Sequence, residues 1–170
     1  MINVRLLTNE KTEVVKEEFY NLLKQNINQI AYSDIEIILG DFNAKVDKED
    51  IYKPTIGNES LHNETNNNRI KMIQFAISKG FNVRSTPFPH KDIHKETWYS
   101  ADSRTAKQMD HVLVIRRFRC AVTDIRALRG PVIGRDHSLL KMNFKVKLKV
   151  KTEKEYNETR KILNIFQNSE

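Results

Sequence analysis

With 170 residues, 39% of them hydrophobic and 30% charged, the chain has the size and balance of one globular domain able to bury a real core. No stretch is apolar and long enough to span a bilayer, and the first eleven residues lack the apolar core of a secretion signal, which disfavours membrane and secreted classes. The 29 Lys and Arg residues against 22 Asp and Glu leave a net charge of +7, a balance that suits a polyanion such as nucleic acid but that basic proteins of other kinds share.

In chain order, residues 2–7 read as a short strand. Over residues 13–30, Val15, Phe19, Leu22, Leu23, Ile27 and Ile30 recur at helical spacing behind Thr12, a suitable N-cap. The run Ile35-Glu36-Ile37-Ile38-Leu39 is β-branched and almost continuous, as in a buried strand. It ends in Gly40-Asp41-Phe42-Asn43. Gly40 lets the backbone turn sharply. If the strand geometry persists, Asp41 and Asn43 point to the same side. A carboxylate and an amide converging there can hold a water, a metal or a phosphate, or simply make a turn.

Residues 45–68 form a long polar loop containing Pro54 and Gly57, ending in the turn- or cap-forming Asn66-Asn67-Asn68. Residues 69–79 read as a helix with Ile70, Ile73, Phe75 and Ile77 as core residues and Gly80 as its stop. Strands follow near 81–84, 95–99, 108–114, 121–127 and 137–146. In the last, Met142, Phe144, Val146 and Leu148 face one way, with Lys141, Lys145, Lys147 and Lys149 opposite. Two of these strands open on chemistry: Gln108-Met109-Asp110-His111 on an acid, Arg135-Asp136-His137 on an acid and an imidazole. Residues 151–170 are charged and weakly amphipathic, a short helix or a tail after the domain of residues 1–150.

Other features carry less. Cys120, the single cysteine, reads as a small buried strand residue; it cannot form an internal disulfide, which fits a reducing, intracellular compartment. The sequons at Asn58, Asn63 and Asn157 read as chance in Asn-rich sequence. His90 and His94 have the spacing of a helical zinc pair, but Pro87 and Pro89 argue against a helix and no cysteine cluster completes a site. Trp98 can stack a base or serve as scaffold. Arg116, Arg117 and Arg119 follow the Asp110 strand, and Arg126, Arg129 and Arg135 precede Asp136. Near the chemistry, such cations would neutralise phosphates; elsewhere they are a solvated face.

Taken in order, Gly40-Asp41-Phe42-Asn43, Glu96-Thr97-Trp98-Tyr99, the Asp110 strand and Asp136-His137 resemble the signatures of the endonuclease/exonuclease/phosphatase superfamily. These are a GDFN-like turn, a Thr-Trp or Ser-Trp strand, an Ile-Asp-Tyr-like strand and a terminal Ser-Asp-His. In detail the chain looks like endonuclease domains of non-LTR retrotransposons and their craniofacial development protein 2-like relatives, in Gly40 to Val46 and in His94-Lys95-Glu96-Thr97-Trp98. The resemblance spans residues 2–150.

It implies an α/β fold of the α+β type, a partial two-sheet sandwich flanked by helices. It implies a magnesium-dependent DNA endonuclease, with manganese able to replace magnesium. Asp41 would position or deprotonate the attacking water, and Asn43 would bond that water or the phosphate. His137 would contact the scissile phosphate, Asp110 would fix its tautomer, and Asp136 would help bind the metal. Arg5, Arg135 and Trp98 would contact phosphate or DNA. DNA is the partner so implied, with a reverse transcriptase region encoded downstream in the parent element, and a nuclear location if the protein is functional.

The chain also departs from the pattern. It is expected to begin near the middle of the fold, without the early Asn and the Gln-Glu that carries the main metal ligand. Arg5 stands where the family has an aromatic or His, Leu7 where it has Pro, Arg135 where it has Ser and His111 where it has Tyr. The expectation is therefore an endonuclease domain of retrotransposon origin that is weak or inactive alone. The alternatives are a non-catalytic nucleic-acid-binding or protein-interaction remnant, and a phosphatase of the same superfamily.

Overall fold

The computed structural model describes residues 1–6, 12–63, 66–102, 104–128 and 136–146. The expected tail, the Leu148 end of the last strand, Asn157, Arg129 and Arg135 lie outside the described residues. In chain order come β1 (Ile2–Arg5), α1 (Glu13–Asn28), β2 (Ile37–Asp41), α2 (Asn67–Lys79), β3 (Phe81–Val83), β4 (Trp98–Tyr99), β5 (Ala106–Lys107), β6 (Asp110–Ile115), β7 (Val122–Leu128) and β8 (Leu139–Phe144). Short 3-10 turns occupy Asp50–Tyr52, Asp92–His94 and Arg116–Ala121.

The main sheet has the order β1-β2-β6-β3, with β1 parallel to β2 and the other pairs antiparallel. β4 pairs with β5, and β7 with β8. Because side chains alternate along a strand, the main sheet has two apolar faces. Ile38 and Leu113 face the helices and pack with Tyr20, Leu23 and Ile27 of α1 and Met72, Ile73 and Phe75 of α2. Val112 and Val114, with Ile37 and Leu39, face the β7–β8 pair and pack on Val122, Ile125, Leu140, Met142 and Phe144. The result is a helix layer, a central sheet and a smaller second sheet, the α/β sandwich flanked by helices that the motifs imply. Each fully buried aliphatic of this core contributes roughly 1.5–3 kcal/mol.

Local chemistry sets the ends of α2. The Asn66 side chain accepts from the Arg69 N–H at 3.2 Å, and Gly80 stops the helix at φ 70°. The core stripe differs from expectation. Ile70 and Ile77 are exposed, because Asn68, Arg69, Met72, Ile73, Phe75 and Ala76 form the buried stripe and a helical step of 100° puts the two isoleucines outside it. Val15 and Leu22 of α1 are exposed for the same reason, with Lys16, Tyr20, Leu23 and Ile27 turned inward. Cys120 is exposed in the 3-10 turn, not buried in a strand, since the strand begins only at Val122.

The polar loop is anchored by charge. Arg69, almost fully buried, meets Asp47 at 2.9 Å and Glu49 at 3.0 Å and lies over the Tyr52 ring. The asparagines at the start of α2 reach the turn after β2: Asn66 Nδ2 donates to the Asn43 carbonyl at 2.7 Å and Asn68 Nδ2 to the same oxygen at 3.2 Å. The helix start thus clamps the turn that follows Asp41.

Candidate active site

Three charged residues stand abreast across the sheet. Asp41 ends β2, with Arg5 of β1 as its register partner on one side and Asp110 of β6 on the other. Directly opposed residues share a face, so all three point to the side that carries β7 and β8, beyond the end of that second sheet.

Asp41 is held by Asn43. The Asn43 backbone N–H donates to Asp41 Oδ1 at 2.9 Å, and its side-chain Nδ2 donates to Oδ2 at 3.2 Å and to the Leu6 carbonyl at 2.7 Å. Asn43 adopts φ 46°, a conformation asparagine tolerates. Partial burial pushes the Asp41 carboxyl up, and Asp110 nearby adds to this, while the Asn43 bond, His137 and Arg5 oppose it.

His137 arrives from a distant part of the chain. The segment before β8 is bound to β4: Tyr99 N–H donates to the Asp136 carbonyl at 2.8 Å and Ser138 N–H to the Thr97 carbonyl at 2.9 Å. This puts His137 Nδ1 at 2.9 Å from Asp110 Oδ2 and Nε2 at 3.9 Å from Asp41 Oδ2. A carboxylate can only accept, so Nδ1 carries the hydrogen and Nε2 faces the pocket. Thr97, fully buried, fixes the other partner: its hydroxyl oxygen accepts from the N–H of Met109 at 2.9 Å and of Asp110 at 3.0 Å.

Asp136 lies at the rim, where Trp98 Nε1–H donates to its Oδ2 at 2.7 Å and holds its carboxyl below the usual range. Lys107 Nζ sits 4.8 Å from the centre of the Trp98 ring. Trp98 is therefore engaged with Asp136 and Lys107. Together Asn3, Val4, Arg5, Gly40, Asp41, Asp110, Asp136 and His137 line a cavity of about 550 Å³. Asn43 stands behind Asp41. Asn3 and Thr97 were not singled out as site residues by the sequence. Asn3 shares the face of Arg5 two residues earlier, a signal that alternation along β1 carries.

Arg116, Arg117 and Arg119 are not near this pocket. β6 begins at the pocket with Asp110 and carries the chain roughly 17 Å away at the rise of a strand, so the 3-10 turn that follows sits at the far end of the sheet. There Arg117 lies over the Tyr32 and Phe118 rings and 3.6 Å from Glu36. Arg126 pairs with Asp124 at 3.0 Å. His90 precedes the Asp92–His94 turn and bonds Asp124 at 2.6 Å.

Magnesium takes carboxylate oxygens in near-octahedral geometry and keeps several waters. Among the described residues no three His, Cys, Asp or Glu side chains gather to hold an ion. Asp110 is committed to His137, Asp41 to Asn43 and one oxygen of Asp136 to Trp98. The described residues do not fit a resident divalent ion.

No protein-family model matches the chain. The chain is similar to craniofacial development protein 2 of Bos taurus and of Tragulus javanicus, 30% identical over 141 residues in each case, covering 83% of this chain but 23% and 24% of those proteins. It thus spans about a quarter of the length of the curated relatives it matches. Among solved structures it resembles the 3′ phosphatase NExo from Neisseria bound to a product DNA hairpin (TM-score 0.58, 19% identity, 85% of this chain and 60% of that one). It resembles the endonuclease domain of TRAS1, a telomere-specific non-LTR retrotransposon (TM-score 0.57, 13% identity, 84% and 56%). It also resembles an AP endonuclease from Archaeoglobus fulgidus (TM-score 0.58, 16% identity, 85% and 60%). The chain has part of the endonuclease/exonuclease/phosphatase fold, as its motifs imply. Its sequence likeness is to craniofacial development protein 2.

Proposed function

We propose that this chain is part of a phosphodiester-cleaving DNA endonuclease domain of retrotransposon origin, weak or inactive alone. The observation that carries the reading is the pairing of His137 Nδ1 with Asp110 beside Asp41 in one open pocket. The TRAS1 likeness and the similarity to craniofacial development protein 2 support the retroelement origin. A downstream reverse transcriptase partner and a nuclear location belong to the same reading.

A phosphodiester in the pocket meets His137 Nε2, Arg5 and Asp41. In its neutral form His137 accepts a proton or hydrogen bond at Nε2; protonated, it donates a charged N–H to a phosphoryl oxygen, with Asp110 holding the ring either way. Asp41, raised by burial, is suited to orient water and accept its proton. Asn43 is a positioning residue, since both hydrogens of its amide are used on Asp41 and the Leu6 carbonyl. A divalent ion would stabilise charge on the phosphoryl oxygens, but the described residues gather no site for one, and Asp136 has one oxygen bonded to Trp98. That shortfall supports the expectation of weak activity, because losing one preorganised stabilising contact costs about a hundredfold or more in rate. A second reading, a non-catalytic DNA-binding remnant, is favoured by the indole bond that occupies Asp136.

The test is nicking of supercoiled plasmid by the parent and by His137→Ala, each with magnesium and with chelator. The expected result is slow nicking by the parent, reduced about a hundredfold or more in the variant. Equal traces from both proteins would overturn the catalytic reading in favour of the remnant.

A further inference from the structure

We propose that Arg5 is a built-in cation of the pocket, taking the part of a divalent ion, so that the phosphate of a nucleic-acid backbone binds there without metal. The inference rests on the phosphodiester reading above and concerns how the charge of that ligand is met.

The described lining of the pocket is acidic before a ligand arrives. Asp41, Asp110 and Asp136 all line it. His137 is shared with Asp110, and the indole of Trp98 on Asp136 brings a dipole but no charge. A phosphate entering such a pocket is repelled unless a cation meets it. The described residues do not gather a three-ligand metal site. They do place one permanent cation in the lining, Arg5, directly abreast of Asp41 in the β1–β2 register. Its charge acts on both Asp41 and Asp136. No hydrogen bond or ion pair to any described residue fixes the guanidinium, and Arg5 is exposed on an edge strand, so its fork is available to a ligand. A guanidinium matches two phosphate oxygens with parallel N–H donors and needs no dehydration of an ion.

Arg5 then does the task that a divalent ion would otherwise do, and this gives a direct test. Binding of a short labelled DNA duplex is measured by anisotropy at one matched ionic strength, in chelator and in millimolar magnesium, for the parent, Arg5→Lys and Arg5→Ala. The substituted side chain is exposed, and far-UV circular dichroism checks that each variant is folded. The parent is expected to bind equally, within twofold, in chelator and in magnesium. Arg5→Ala is expected to lose about tenfold in chelator and in magnesium alike, because the described carboxylates do not gather an ion site in its place. Arg5→Lys, with charge but no fork, should fall between them. A parent that needs magnesium for tight binding, or an Arg5→Ala variant that binds as the parent does, would overturn the inference while leaving the phosphodiester reading standing. Absence of DNA binding by every protein in both conditions would overturn both.

Discussion

Asp110 and His111 are adjacent in sequence and do opposite work, because a strand sends neighbouring side chains to opposite faces. Asp110 turns to the pocket and orients His137. His111 turns inward and is fully buried, with Nε2 2.8 Å from the Ala44 carbonyl and the Ser85 hydroxyl 2.8 Å from Nδ1. A carbonyl only accepts, so Nε2 carries the hydrogen and Ser85 donates to Nδ1. Neutral His111 therefore ties the loop after Asp41 to β6 and to residue 85. Burial pushes its pKa down to about 4. Between about pH 6.5, the value in an unfolded chain, and pH 4, the unfolded state binds a proton that the folded state does not. Stability is therefore full above that window and falls as pH drops through it, by about 3 kcal/mol from this group. His62, also pushed down by burial, adds in the same direction. Urea denaturation from pH 4 to 7 should show the slope, and His111→Gln should remove most of it at the cost of lower stability at pH 7. An unchanged slope in the variant would show that His111 is not the group responsible.

At the scale of elements, the site depends on β1 lying close against β2. Gly40 makes this approach feasible: it has φ 140°, and a Cβ there would stand 1.9 Å from the Val4 carbonyl oxygen. No L-residue fits both conditions. Gly40→Ala is expected to cost roughly 2–3 kcal/mol and lower Tm by about 5–10 °C. It should also weaken DNA binding, as Arg5 moves away from Asp41. A thermal melt within a degree or two of the parent would contradict this account of the β1–β2 contact.

Much of this level was legible in the chain. The β-branched run before Gly40, the helix stop at Gly80, the asparagines as caps and turns and the order of strands all follow from local chemistry. The meeting of Asp110 with His137, 27 residues apart, was legible only through resemblance to a family. What local reading missed was three-dimensional placement. Arg116 to Arg119 follow Asp110 closely in sequence, yet a strand is a straight rod that carries them to the far end. Ile70 and Ile77 are apolar, but which stripe of a helix is buried is decided by its neighbours. The hold of Trp98 on Asp136 is a contact between residues 38 apart, which no periodicity reports.

At the scale of the whole molecule, charge and shape point to different places. The net charge of +7 is general. The pocket itself is rich in acids, while an arginine cluster lies at the opposite pole of the sheet. Non-specific attraction to a polyanion would favour the arginine pole; recognition of a phosphodiester by the Arg5, Asp41, Asp110 and His137 constellation would favour the pocket. The chain matches 60% of the length of two of its structural neighbours, so the fold is represented in part. The measurement that separates the two most directly is backbone and histidine-ring NMR of the labelled protein during titration with a short DNA duplex. The largest shifts are expected on Arg5, Gly40, Asp41, Asp110 and the His137 ring. Shifts confined to Arg116, Arg117, Arg119 and their neighbours, with the pocket silent, would contradict that expectation.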